Sequence, residues 1–309
     1  MKVLITNIMM LRDKERFEKE LISNGLKPVF YDVQQVFKED ELLDIVGDFD
    51  GWLAGDDEIT EAVINKATPK LKVISKWGTG IDSIDLEAAK KNKVKIFNSP
   101  GAFRDAVAEI AIAYMLNLSR GIHTTDQAVR NNQWPKKSSN GLVNKTLGII
   151  GLGAIGKGIA ERALSFKLNV IYFDEQSIEL EQNIKTIKSV PLDNLLQNSD
   201  IICLACNLTT KNKHIINAEA MSKMLNRPYI INVSRGPLIS MPDLISSLQS
   251  GQISGAGLDV YEIEPLDKNS PLINMNNVVL GSHNANNMYS ATEYVHQNTI
   301  ANLLKGLNI

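Results

Sequence analysis

Gly151, Gly153 and Gly156 form a GxGxxG triplet between the apolar run TLGII and the helical segment KGIAERALSF. No other feature of the chain limits its fold as tightly. A first glycine there permits a tight strand-to-helix turn, a second lets backbone approach a pyrophosphate, and a third lets helix and strand pack closely. The helix N-terminus adds free N–H groups and a partial positive charge. The following strand, VIYFD, ends in Asp174, at 174 − 156 = 18 residues past the last glycine. An acid at that point accepts hydrogen bonds from ribose hydroxyls and repels a 2′-phosphate, so NAD is expected over NADP. Gly151, Gly153, Ala154, Ile155, Gly156 and Asp174 are therefore the expected cofactor contacts.

Strand-like and helical runs alternate on both sides of this motif. VLITNI, PVFYDV, GWLAG, LKVISKWG and KIFNSP precede it, separated by helical stretches such as residues 13–24. SDIICLAC, PYIINVSRG, ISGAGLDVYE and NVVLGSH follow. This rhythm predicts α/β architecture with parallel sheets covered by helices on both faces. Residues 105–120, DAVAEIAIAYMLNLSR, read as a helix apolar on nearly every face, expected between domains or subunits. The polar stretch QWPKKSSNGLVNKT after it reads as a boundary, and residues 287–307 as a final helix.

Composition narrows the class. The 309 residues are 44% hydrophobic and 22% charged with a formal net charge of −2, which is ordinary globular composition with no pull toward nucleic acid or an anionic membrane. No apolar run approaches the roughly 20 residues of a membrane helix. The N-terminus reads as a first strand rather than a signal peptide. Two cysteines cannot build a disulfide framework, so a cytoplasmic setting is expected. Cys203 and Cys206 are formally CxxC, but on a strand they point to opposite faces, and neither redox nor metal function is expected. His123, His214 and His296 read as surface or capping residues, and Lys90, Lys91, Lys93 and Lys95 as a solvated face.

Three polar residues stand just past strand-like runs: Arg235 after YIINVS, Glu264 after GLDV, and His283 after NVVLGS. Ligands of open parallel sheets bind beyond the carboxyl ends of the strands. The residue types suit reversible hydride transfer at a hydroxyl carbon. Arginine holds a carboxylate and polarises a carbonyl. Histidine exchanges the hydroxyl proton, and glutamate orients the imidazole and stabilises its charged form.

The order and spacing of LKVISKWGTGIDSIDLEAA, NSPGAFRDAVAEIA, GLGAIG, INVSRGPLI, GAGLDVYEIEP and the His283 turn resemble those of the D-isomer-specific 2-hydroxyacid dehydrogenases, over nearly the whole chain. The resemblance implies two Rossmann-like doubly wound domains, the first split by insertion of the second. Residues 1–98 and 286–309 would form a substrate domain and 99–285 an NAD domain, with a homodimer built through the latter. Arg235, Glu264 and His283 would be catalytic, and the backbone of Gly78, Thr79 and Gly80 would take a substrate carboxylate. Val107, Ala205, Asn207, Val233, Ser234 and Asp259 would join the cofactor contacts, and no metal is implied. Within the family, GTGIDSID and NSPGAFRDAVAE look nearest to the phosphoglycerate dehydrogenase branch. The loop that carries a phosphate-binding arginine there reads Ala54-Gly55-Asp56-Asp57 here, which leaves Lys76 and Arg104 as the candidate phosphate cations. The chain also departs from the usual pattern at Ala154, Ala205, Asn207 and Asn212. The substrate implied is a small 2-oxo or D-2-hydroxy acid, with D-3-phosphoglycerate first. Glyoxylate, hydroxypyruvate or formate enzymes of the same scaffold, or a non-catalytic NAD-binding regulator, are the alternatives.

Overall fold

The structure, a computed structural model, describes residues 1–33, 36–136 and 138–309. It divides into two compact units. One comprises Met1–Phe103 with Met288–Ile309, the other Arg104–Asn287.

Among the described residues, the first unit holds five parallel strands: β1 (Lys2–Ile5), β2 (Lys27–Phe30), β3 (Gly51–Ala54), β4 (Val73–Lys76) and β5 (Lys95–Phe97). Their order is β2-β1-β3-β4-β5. The first strand is shorter than its apolar run because Asn7 ends it. The Asn7 side chain accepts the N–H groups of Met9 and Met10 at 3.0 Å, capping the short helix Ile8–Leu11. The helix Lys14–Ser23 closes at Gly25, whose φ of 75° suits glycine. Strands β3 and β4 are buried along their whole length, as a sheet covered on both faces requires. The C-terminal helix Tyr289–Leu307 covers β3 and β4. Gly306 makes this possible, since a Cβ there would press into the Val73 side chain.

His296 lies on that helix and is not a surface residue. Its side chain is buried between Phe17 and Trp77, and Nδ1 accepts the Trp77 indole N–H at 3.0 Å. Burial lowers its pKa below the ordinary 6.5.

The described residues of the second unit form seven parallel strands: β6 (Thr146–Ile150), β7 (Asn169–Phe173), β8 (Lys188–Ser189), β9 (Ile201–Leu204), β10 (Tyr229–Asn232), β11 (Gly255–Leu258) and β12 (Val278–Leu280). Their order is β12-β11-β10-β9-β6-β7-β8. The chain runs outward from β6 through β7 to β8, then returns to β9 beside β6 and runs outward the other way. The crevice at the carboxyl ends of β6 and β9 is thus a topological switch point, where open α/β sheets bind ligands. The core on one face of this sheet joins Ile202, Leu204, Ile230, Ala256 and Leu258 to Leu244 and Leu248 of the helix Met241–Ser250.

Two expectations about this unit need correction. The polar stretch 133–146 lies inside the unit and divides nothing. The helix Arg104–Arg120 spends its apolar face on its own unit, packing on the helix Ala154–Ser165 and on β10 and β11. Glycines permit the approach: a Cβ on Gly158 would stand 3.3 Å from that of Ala108, and one on Gly257 only 2.7 Å from that of Tyr114. Glu109 and Ala113 are exposed in the single chain, so the helix is not buried all round by its own chain. Among the described residues, no helix is long and apolar enough to cross a membrane.

Candidate active site

A cleft of about 290 Å³ opens at the switch point, lined by Gly151, Gly153, Asp174, Ala205, Cys206 and Asn207 among others. The three glycines meet different demands. Gly151 has φ 93°, and a Cβ there would stand 2.5 Å from the Cys206 backbone. A Cβ on Gly156 would strike the Gly151 carbonyl. Both are required by the protein's own packing. Gly153 is exposed, and a Cβ on it would meet no protein atom within 4 Å. The position stands open at the N-terminus of the helix Ala154–Ser165, where free N–H groups suit an anionic ligand group. Asp174 closes the cleft at the end of β7, its carboxylate held by the N–H groups of Leu152 at 2.8 Å and Gln176 at 2.9 Å. Ala154 is exposed and Ile155 half-buried on the first turn of the helix, while Val107 is buried within its own unit.

Strands β10, β11 and β12 are neighbours and parallel, so Arg235, Glu264 and His283 follow strand ends on one edge of the sheet. His283 and Glu264 meet directly, with Nδ1 2.8 Å from Oε2. The other Glu264 oxygen accepts the Tyr261 N–H at 3.0 Å. Both side chains are about a quarter exposed, open to a ligand yet partly shielded from water. The His283 backbone sits in the left-handed region, φ 54°, a strained conformation for a non-glycine residue. Its surroundings over-determine it. The His283 N–H donates to the Asp259 carbonyl at 2.7 Å. The buried Asp259 carboxylate takes the N–H groups of Asn284 and Ala285 at 3.0 and 2.9 Å. Asp259 thus shapes the turn that presents the imidazole.

The Arg235 loop is fixed from below. Asn232, buried at the end of β10, accepts the Ser234 N–H at 3.1 Å and donates to the Arg235 carbonyl at 2.9 Å. The Ser234 hydroxyl donates to the Cys206 carbonyl, joining this loop to the cleft wall. Val233 is buried beside it. Arg235 is half-buried, and its Nη1 donates to the Ser234 carbonyl at 2.9 Å.

In the first unit, Gly78 has φ 117°, and the loop it opens is tied to residues 98–99. The Ser99 N–H donates to the Gly78 carbonyl at 2.8 Å, Thr79 Oγ1 to the Ser99 carbonyl at 3.1 Å, and Asn98 Nδ2 to the Thr79 carbonyl at 2.6 Å. Lys76 lies buried beneath, with Nζ 3.0 Å from Asp56 and donating to the Trp77 carbonyl at 2.8 Å. Asp57 is also buried, accepting from Thr6, Phe37 and Gly55, and burial pushes its carboxyl above the usual range. Arg104 belongs to the second unit, where its guanidinium is paired with Glu161 and Glu181 at 3.2 and 3.0 Å.

Comparison with known proteins decides the family. The model of the D-isomer specific 2-hydroxyacid dehydrogenase NAD-binding domain matches residues 112–285. The chain is 36% identical over 272 residues to a glyoxylate reductase of Thermofilum pendens, covering 86% of this chain and 80% of that one. It is 35% identical over 276 residues to a hydroxypyruvate reductase of Thermotoga maritima, covering 88% and 89%. The chain belongs to the D-isomer-specific 2-hydroxyacid dehydrogenase family. A D-lactate dehydrogenase of Aquifex aeolicus, solved with NAD and lactic acid, shares the fold at TM-score 0.87 and 25% identity, covering 97% of this chain and 93% of that one.

As a dehydrogenase of this family the protein is an NAD-dependent oxidoreductase, and the segment matched to the NAD-binding domain contains the cleft. The residues there fit the dinucleotide: an unobstructed glycine at a helix N-terminus and an acid at the second strand end. Sequence reasoning missed Cys206, Thr209, Glu175 and Gln176 as lining residues. Spacing gives no sign of Cys206, because the wall forms only when β9 returns beside β6. Its thiol is pushed up to about 11, first by burial, so it is no thiolate nucleophile. Asn232 left a weak signal, a turn-forming residue at the end of an apolar strand.

Proposed function

We propose that the dehydrogenase reduces a small, unphosphorylated 2-oxo acid of the glyoxylate or hydroxypyruvate class to the corresponding D-2-hydroxy acid. The observation that carries this reading is the 2.8 Å contact between His283 Nδ1 and Glu264, past the strand ends of the NAD-binding domain. NADH, when bound, supplies the hydride. The Glu264 carboxylate accepts a hydrogen bond from Nδ1–H, which keeps that proton on the ring and leaves Nε2 as the nitrogen that hands a proton to the substrate oxygen. The carboxylate also stabilises the imidazolium before the transfer. Arg235 pairs with the substrate carboxylate and polarises the carbonyl. The backbone of Gly78, Thr79 and Gly80 takes the carboxylate as well. Val107, Ala205, Asn207, Val233 and Ser234 accompany the glycines and Asp174 as cofactor contacts.

Phosphate as a substrate group has less support. Lys76 and Arg104 already face carboxylates, and the 54–57 loop adds two acids. The relatives described above are named for glyoxylate, hydroxypyruvate and D-lactate rather than for a phosphorylated acid. A spectrophotometric panel of 2-oxo acids with NADH tests the choice. Glyoxylate or hydroxypyruvate is expected to show the highest kcat/KM, at least about tenfold above 3-phosphohydroxypyruvate. Preference for the phosphorylated acid would reject this reading in favour of the phosphoglycerate branch.

We also propose a homodimer through the NAD-binding domain. Ile122 and Val129 on the helix Ile122–Arg130 are exposed, and Trp134 shortly after it is 79% exposed. Such apolar exposure suits a second copy of the chain. Two unpaired cysteines suit a reducing compartment such as the cytoplasm.

A further inference from the structure

The loop that carries Glu264 holds a second imidazole–carboxylate pair. Glu262 Oε1 lies 2.6 Å from His214 Nε2. The other Glu262 oxygen accepts the Met241 N–H at 2.8 Å. Met241 opens the helix Met241–Ser250, and Ser240 before it makes no side-chain cap bond. Glu262 therefore supplies, from another loop, an acceptor that the helix start lacks locally. His214 has φ 55°, and its backbone N–H donates to the Pro237 carbonyl at 2.8 Å. Pro237 is two residues past Arg235. A Cβ on Gly236 would overlap the Tyr261 carbonyl, so the Arg235 loop and the Glu264 loop run in backbone contact.

One carboxylate thus joins three segments: the loop ending at His214, the turn from Arg235 to Met241, and the stretch from Tyr261 to Glu264. An isolated surface ion pair contributes little. This pair differs, because each partner is also anchored by a backbone hydrogen bond and the side chains are only 38% and 25% exposed.

We propose that His214 and Glu262 are positioning residues for the reduction, acting through Arg235 and Glu264. The inference rests on the roles given to Arg235, Glu264 and His283 above. A displacement of about 1 Å in a reacting geometry can cost about a hundredfold in rate, so a clamp on two loops that carry such groups governs kcat without touching substrate.

The test compares His214→Leu, His214→Gln, Glu262→Ala and the double variant His214→Leu/Glu262→Ala, with His283→Ala alongside, using glyoxylate and NADH. His214→Leu and Glu262→Ala are each expected to lower kcat about tenfold, and the double variant no further than the worse single one, as for two partners in one interaction. His214→Gln, whose amide still donates to Glu262, should recover to within about threefold of wild type. NADH affinity, read by fluorescence, should stay within about twofold throughout. Single-variant rates within twofold of wild type, losses that multiply in the double variant, a Gln variant as poor as the Leu variant, or a parallel loss of NADH affinity would each overturn the clamp. If Glu262→Ala does not fold, the Leu–Gln contrast at 214 decides alone. An inactive His283→Ala beside unimpaired clamp variants would reject the clamp only, whereas an active His283→Ala would reject the site reading and the clamp with it.

Discussion

Two glycines of the GxGxxG turn make opposite predictions, because packing requires one while the other is proposed to serve the cofactor. Gly151→Ala places a Cβ against the Cys206 backbone at a φ of 93°. It is expected to cost ~3 kcal/mol of stability, as overpacking and backbone strain together do. The Cβ that Gly153→Val adds meets no protein atom within 4 Å, at an extended backbone with φ −70°. It should leave Tm within ~3 °C while raising the NADH Kd at least about tenfold. Thermal melts beside fluorescence titration separate the two, and unaltered NADH binding in Gly153→Val would remove the ligand from the explanation of that glycine. At this scale the sequence was informative where chemistry is local. Strand, glycines, helix and Asp174 lie within one βαβ unit, and their spacing is set by backbone geometry. Glu264 and His283 are different. Their meeting depends on Asp259 capturing the N–H groups of Asn284 and Ala285, a closure that spans two strands and is invisible to spacing. Strand-end position and residue type brought the two together as candidates, and the family resemblance added the catalytic role, but neither reveals the turn that joins them.

Among the elements, the helix Tyr289–Leu307 shows what periodicity cannot supply. Its EYVHQNT stretch reads as polar, yet His296 is enclosed by Phe17 and Trp77, which arrive from distant segments. The helix Arg104–Arg120 misleads in the other direction. Its exposed Ala113 reads as apolar, but alanine marks helix propensity as much as burial. The buried imidazole has a measurable consequence. The folded-state pKa of His296 lies below the ordinary 6.5, chiefly through burial, with Glu293 and Asp13 raising it and Arg16 lowering it. Nδ1 accepts from Trp77, so protonation would set two N–H groups against each other. A depressed histidine pKa means that the unfolded chain binds the proton more tightly. The stability it contributes is full above the unfolded value and is lost as pH falls through 6.5 toward the folded one. The wild-type drop in Tm between about pH 7.5 and about pH 5 should exceed that of His296→Gln by about 2–4 °C. The glutamine can still accept from Trp77 without titrating. Equal drops would assign the acid sensitivity elsewhere.

At the scale of the whole molecule, both parallel sheets could be read from the rhythm of apolar runs. The position of the break between the two units could not, because the polar stretch at 133–146 looks like a linker and is not one. Assembly is a second whole-molecule property. If Ile122, Val129 and Trp134 meet a second copy, sedimentation equilibrium should give about twice the 34.2 kDa chain mass, and serine at these three positions should shift the population toward monomer. A wild-type monomer would reject the homodimer. The proposed chemistry rests on His283 giving a proton to the substrate oxygen, and kcat for glyoxylate reduction by His283→Ala, with NADH affinity measured on the same sample, tests it most directly. A loss of roughly 10²–10⁴ in kcat with NADH binding unchanged is the expected result. A variant that turns over at a rate close to that of the wild type would contradict the proton relay and the site built around it.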